Sequence, residues 1–185
     1  MNAEDTLARW IADEDAVRAH HARGAGLARP EEVRGRTGMQ MFEAMLAGEI
    51  GGAPMAATLD FLLVHVEPGI AIFQGTPLAK HYNPFGTVHG GWFATLLDSA
   101  MGCAVQTTLP AGKAYTTMEF RVNLVRPLSD AVPRVRAEGK IVHAGRQVAV
   151  AEGRLVGPDG KLYAHGTTTC LIFDRAASDT RPRGE

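Results

Sequence analysis

Apolar side chains recur along this chain with two different periods, and the change falls near residue 58. Before it the spacing is helical: Leu7, Trp10, Ile11 and Val17 mark a weakly amphipathic helix, followed by a loop through Gly24, Gly26 and Pro30. Thr37 is placed to cap a second helix, with Met41, Phe42, Met45 and Leu46 on one face and an end between Gly48 and Pro54. From Thr58 the period is two, giving a strand, a turn at Glu67-Pro68-Gly69 and a second strand to Gly75. After the loop TPLAKHYNPFGTV, His89-Gly90-Gly91 opens a helix reaching about Thr108 that is apolar almost all round, the mark of a helix buried on most sides. Strand patterns follow at Thr117–Val125, Arg134–His143, Gln147–Val156 and Lys161–Phe173, with turns at Ala144-Gly145 and Pro158-Asp159-Gly160. Short turns predict antiparallel neighbours, and one apolar helix among strands predicts a sheet wrapped around it, an α+β layer architecture. The expected organisation is a helical extension over residues 1–57, the main domain over 58–174 and a fraying tail over 175–185.

Composition narrows the function classes. With 185 residues, 45% hydrophobic and 21% charged, the chain can bury one core without disulfides. A formal net charge of -1 is unlike a nucleic-acid binder whose whole surface is basic, so any anionic partner must be met by a local patch. Cys103 and Cys170 sit in apolar runs and are expected as buried free thiols in a reducing compartment. His65, His81 and His165 lack ligand spacing, so no metal site is expected, and His20-His21 is expected as a solvated pair. The first residues carry acids where a secretion signal needs bases, and the longest apolar stretch, Trp92 to Val105, is broken by Thr95, Asp98 and Ser99. A cytoplasmic protein with no membrane partner is the expectation. Residues 1–36 are dense in charge and are expected to add little to the core.

The candidate chemistry lies in HYNPFGTVHGGWFATLLDSAMG. Asp98 is a lone carboxylate among Leu96, Leu97, Ala100 and Met101. Either Thr95 or Ser99 satisfies it, or it faces a watery seam, or it is a general base or nucleophile. Gly90 and Gly91 either permit close packing or present free N–H groups to an oxyanion. His89 is expected to fix the loop as a donor, with direct acid–base chemistry the alternative. Thr117, on the polar face of its strand, is a β-former or the holder of a water. Gly91 and Asp98 are seven residues apart, so they share a helix face about 10.5 Å apart along the axis. One carbonyl cannot touch both within a subunit, which predicts a site shared between two copies.

The runs NPFGTVHGG, LLDSAMG, TTMEFRVNLVRP and YAHGTTTCLIF resemble the PaaI-type branch of the hotdog-fold acyl-CoA thioesterases over roughly residues 38–173. The resemblance implies a curved antiparallel sheet wrapped around one long central helix, edge-to-edge homodimers that pair into tetramers, and acyl-CoA as substrate with no cofactor beyond the coenzyme A it carries. It places the catalytic carboxylate at Asp98, the oxyanion donor at the Gly91 N–H aided by His89 and Gly90, the carbonyl- or water-holding amide at Asn83, and the water-placing hydroxyl at Thr117. Coenzyme A is expected along the turn His143, Gly145, Arg146 and Gln147, with Arg134, Arg136 and Lys140 as phosphate partners. Trp92, Phe93, Met101 and Phe85 are the expected acyl lining. Hydration or dehydration of an acyl thioester is an alternative, as is non-catalytic acyl-CoA binding. A His89–Asp98 pair for the former is opposed by their positions on opposite helix faces.

Overall fold

The computed structural model describes residues 2–20 and 24–175; the expectations for His21 and for the tail beyond Arg175 lie outside them. Helices α1 (Ala3–His20), α2 (Pro30–Val33), α3 (Gly38–Leu46) and α4 (Pro54–Thr58) precede strands β1 (Phe61–Glu67) and β2 (Ile70–Gly75). Helix α5 (Gly90–Thr107) is followed by β3 (Lys113–Leu124), β4 (Val135–Ala144), β5 (Val148–Val156) and β6 (Leu162–Asp174). Thr37 does cap α3, accepting from the Gln40 N–H at 3.2 Å.

The six strands form one antiparallel sheet in the order β1-β2-β4-β5-β6-β3. It curls around α5, whose Leu96, Leu97, Ala100, Met101 and Ala104 are fully buried against it. The helix can lie this close because Gly139 of β4 offers no side chain: a Cβ there would collide with the Ala100 carbonyl oxygen. β1 and β3 are the two sheet edges. β1 is covered by α1, α3 and α4. β3 is not, and its Met118, Phe120 and Leu124 stay exposed.

Two expectations are corrected. The third strand starts at Lys113, four residues before Thr117, and pairs with β6 from its first residue. The N-terminal segment also belongs to the core. Its buried stripe is Trp10, Glu14 and Val17, not an all-apolar one, and Ile11 faces outward. α1 packs on the side of the sheet away from α5. There the Glu14 carboxylate accepts from Gln74 Nε2, Arg134 Nε and Arg18 Nε at 2.7 to 2.8 Å. Arg136 donates to Gln74 and Asp13 at 2.8 and 2.7 Å and stacks on the Trp10 ring at 4.7 Å. Arg134 and Arg136 are therefore spent on α1 and are not free for phosphates, whereas Lys140 is exposed. Burial alone would raise the Glu14 carboxyl, but the bonds from Arg134, Gln74 and Arg18 outweigh it and hold it below its ordinary value.

Candidate active site

Asp98 lies halfway along α5 on the face not covered by the sheet, half-buried, where the helix borders an apolar cavity of about 530 Å3. Thr117 Oγ1 donates to Asp98 Oδ1 at 3.1 Å. Thr95 is not the partner, because its hydroxyl donates to the Gly91 carbonyl at 2.9 Å. The sequence places Thr117 on the polar face of its strand, and a β-bulge reverses that. Thr117 pairs with Cys170 and Glu119 with Thr169, so Met118 is an extra residue in the ladder. Before the bulge Tyr115 and Thr117 face α5; after it Phe120, Val122 and Leu124 share that side, and Met118 turns outward. The bulge is what lets a threonine from a polar-looking register reach the carboxylate. Ser99 and Cys103 of α5 and Tyr115 of β3 complete this wall. Burial, then the neighbouring Asp98, pushes the Cys103 thiol up to about 12. Burial likewise pushes the Tyr115 hydroxyl well above its ordinary value. Both groups are neutral donors beside the carboxylate. Both cysteines are free; Cys170 is buried and Cys103 is half-buried at the cavity.

The other half of the predicted site sits at the start of α5. His89 is the N-cap, but it acts as acceptor rather than the expected donor: its Nδ1 takes the Gly91 N–H at 2.9 Å. The N–H assigned to an oxyanion is thus held by the protein's own imidazole in this state, while the Gly90 N–H is another of the helix-start donors that no intrahelical carbonyl reaches. Asn83 uses both ends of its amide locally: Nδ2 donates to Thr87 Oγ1 at 2.9 Å, and Oδ1 accepts from Phe85 N–H at 2.9 Å and Thr87 N–H at 3.4 Å. It shapes the loop that leads into the helix. The loop is anchored further by the His89 N–H to the His81 carbonyl at 2.8 Å and by His81 stacked on Trp92 with ring centroids 5.2 Å apart. Desolvation keeps His81 below its ordinary pKa, against the pull of Asp60.

The third group is the β4–β5 turn. Gly145 N–H closes it onto the Val148 carbonyl at 2.9 Å, and His143, Arg146 and Gln147 are exposed. Gln147 neighbours Ile172, which pairs with Tyr115, so the turn lies two strands from the Asp98–Thr117 pair, about 10 Å. The expected acyl lining is not what lines the cavity: Trp92, Phe93 and Met101 are buried in the core, and Phe85 is exposed on the loop. Among the described residues no group of three or more His, Cys, Asp or Glu is disposed to hold a metal ion, and no helix is long and apolar enough to cross a membrane.

Comparison with known proteins adds a family to this geometry. The sequence model of the thioesterase superfamily matches residues 85–164. A protein of Halobacterium salinarum described as a candidate esterase is 39% identical over 121 residues, 61% of this chain and 78% of that one. The proofreading thioesterase EntH of Klebsiella pneumoniae is 29% identical over 93 residues, 50% of this chain and 66% of that one. A solved phenylacetic acid degradation-related protein of Ralstonia eutropha, described as a candidate thioesterase, superposes with a TM-score of 0.65 at 30% identity, over 70% of this chain and 98% of that one.

Proposed function

The chain belongs to the thioesterase superfamily, in its PaaI-type hotdog-fold branch, and we propose that it hydrolyses acyl-CoA thioesters. The observation that carries this reading is the Asp98–Thr117 pair at the wall of an apolar cavity. Asp98 takes a proton from a water held by Thr117, or attacks the carbonyl itself. Either route puts negative charge on the carbonyl oxygen, and the N–H groups of Gly90 and Gly91 at the start of α5 are the donors for it. The Gly91 N–H becomes available when the oxygen displaces the His89 ring. Asn83 acts as a positioning residue through the loop it ties. On the water route the C–S bond breaks and the coenzyme A thiolate takes up the proton held by Asp98. On direct attack the C–S bond breaks as an acyl–Asp98 anhydride forms, and water then hydrolyses it, freeing the acid, restoring the carboxylate and supplying the thiolate's proton. The nucleotide end of coenzyme A lies along His143, Gly145, Arg146 and Gln147.

The reaction is one of dimers. The helix start and Asp98 are about 10.5 Å apart along one axis, too far for one carbonyl. β3 is an open edge whose inward residues run from Thr117, beside Asp98, to Leu124, which lies against Gly90. Two β3 strands paired antiparallel about their middle bring the Thr117 end of one copy to the Leu124 end of the other. Each site then combines Asp98 of one copy with the helix start of the second. The test is release of free thiol from a panel of acyl-CoAs, followed with a thiol reagent. Steady turnover abolished by Asp98→Asn supports hydrolysis. Binding without thiol release points to an acyl-CoA-binding protein, and loss of an enoyl absorbance without thiol release to a hydratase; either overturns the reading.

A further inference from the structure

The cavity beside Asp98 has two walls of different origin. One is α5 with β1, β2 and the start of β3. The other comes from the helical segment before residue 58. Phe42 and Met45 reach it from α3, Met55 and Ala56 from α4, and Arg18 and Gly24 stand at its rim. This second wall is tied down at several points. Gly26 N–H donates to the Gly52 carbonyl at 2.9 Å and Gly52 N–H to the Gly24 carbonyl at 3.2 Å. Gly48, at positive φ, leaves no room for a side chain against the His20 carbonyl. The buried Glu14 network fixes α1 to the sheet.

We propose that this cavity is the acyl subsite and that the N-terminal segment sets its depth, so that the enzyme selects an uncharged straight-chain or aromatic acyl group of medium length. The proposal rests on the thioesterase reading above and deepens it. The acyl carbonyl lies at Asp98 and the tail points toward Met45 and Met55. The volume, about 530 Å3, is that of a small-ligand site rather than a packing defect. The lining is mainly apolar. Among the described residues, the one charged side chain on the wall besides Asp98 is Arg18, and its guanidinium is already paired with Glu14 at 2.7 Å. Among the described residues no unpaired cation lines the cavity to receive a terminal carboxylate, and Asp98 repels one. The unbranched, polarisable side chains of Met45 and Met55 suit tails of differing shape.

Two variants at the wall move selectivity in opposite directions. Met55 is more than half exposed at the rim, so Met55→Trp fills space with little cost to folding. Met45→Ala deepens the cavity. In the wild type, kcat/KM over straight-chain acyl-CoAs should rise about fourfold per methylene until the wall is met, then fall. Met55→Trp should shift the optimum to shorter chains and cut turnover of the best wild-type substrate at least tenfold, with acetyl-CoA changed less than threefold. Met45→Ala should shift the optimum to longer chains. A carboxylate-ended acyl-CoA should be turned over at least a hundredfold more slowly than its methyl-ended counterpart. Affinities of the same panel, measured by calorimetry on the same proteins, separate the two readings. If no thiol is released but affinity depends on chain length and shifts with both variants, the hydrolysis reading fails and the subsite stands. If thiol is released but both variants scale every chain length alike, or the carboxylate-ended substrate is preferred, the subsite is wrong and hydrolysis stands.

Discussion

Asp98→Asn keeps the shape of the side chain and an acceptor for the Thr117 hydroxyl while removing the charge. It should lower kcat at least a hundredfold, a barrier rise of about 3 kcal/mol. Because the side chain is half-buried and opens on a cavity, the thermal midpoint should move by no more than a few degrees, which calorimetry on the same sample checks. His89→Ala separates capping from chemistry. It removes the acceptor of the Gly91 N–H, so stability should fall by about 1 kcal/mol. It also frees that N–H for the carbonyl oxygen, so kcat should change less than tenfold; a fall of a hundredfold would place the imidazole in the reaction. At this scale the sequence makes Asp98 stand out, since a lone carboxylate among Leu96, Leu97 and Met101 needs a reason. It hides what Asp98 touches: Thr95 and Ser99 are near in sequence, but the partner is Thr117, brought by a strand whose register the alternation of residues does not reveal.

At the scale of elements, β1, β2, β4, β5 and β6 and the buried helix follow from period and turn chemistry, each within a few residues of its observed ends. α1 does not, because its anchoring is polar. Glu14, Gln74 and Arg136 look like surface residues in sequence, yet all three are buried, each satisfying the next. Trp10→Ala should cost about 3–5 kcal/mol, of order 10 °C in thermal midpoint for a chain of this size. Deleting residues 1–36 should therefore destabilise the protein, contrary to what charge density suggests. The network also carries a pH signature. Glu14 sits below its ordinary value of 4.5 in the fold, so the stability it contributes is complete above that pH and is lost as pH falls through and below it. Urea unfolding at pH 7 and pH 4 should show the loss in the wild type. Glu14→Gln should be weaker at pH 7 and show a shallower decline on acidification.

At the scale of the whole molecule, the open β3 edge and the divided site call for pairing. Light scattering should find at least twice the 19.8 kDa chain mass, and Phe120→Asp on the edge should give monomers with little turnover. A sharper test mixes two inactive proteins. Asp98→Asn lacks the carboxylate; Gly91→Pro lacks an oxyanion donor but suits the first turn of a helix. Co-refolded, they should recover about one quarter of wild-type activity, since half the dimers are mixed and each mixed dimer holds one intact site. Within-subunit sites would recover nothing. The expectation of a partner comes from the Gly91–Asp98 spacing in the sequence, whereas the cavity leaves no mark there. Its N-terminal wall comes from a segment whose position depends on the buried polar contacts of α1, which no periodicity marks.

The extra residue in β3 makes the site a matter of counting. Any substitution between Tyr115 and Phe120 leaves the number of residues unchanged, and Thr117 keeps its side of the sheet. Deleting Met118 would restore strict alternation. If the pairing on both sides held, Thr117 would stay opposite Cys170 on the inner face; Asp98 loses its partner only if Met118 is kept and drawn into the ladder, which moves Thr117 opposite Leu171 on the outer face. The arrangement is stored the way a reading frame stores a message, in spacing rather than in letters. Among chains of this fold, a member that lacks the residue at Met118 should therefore keep its threonine beside the carboxylate.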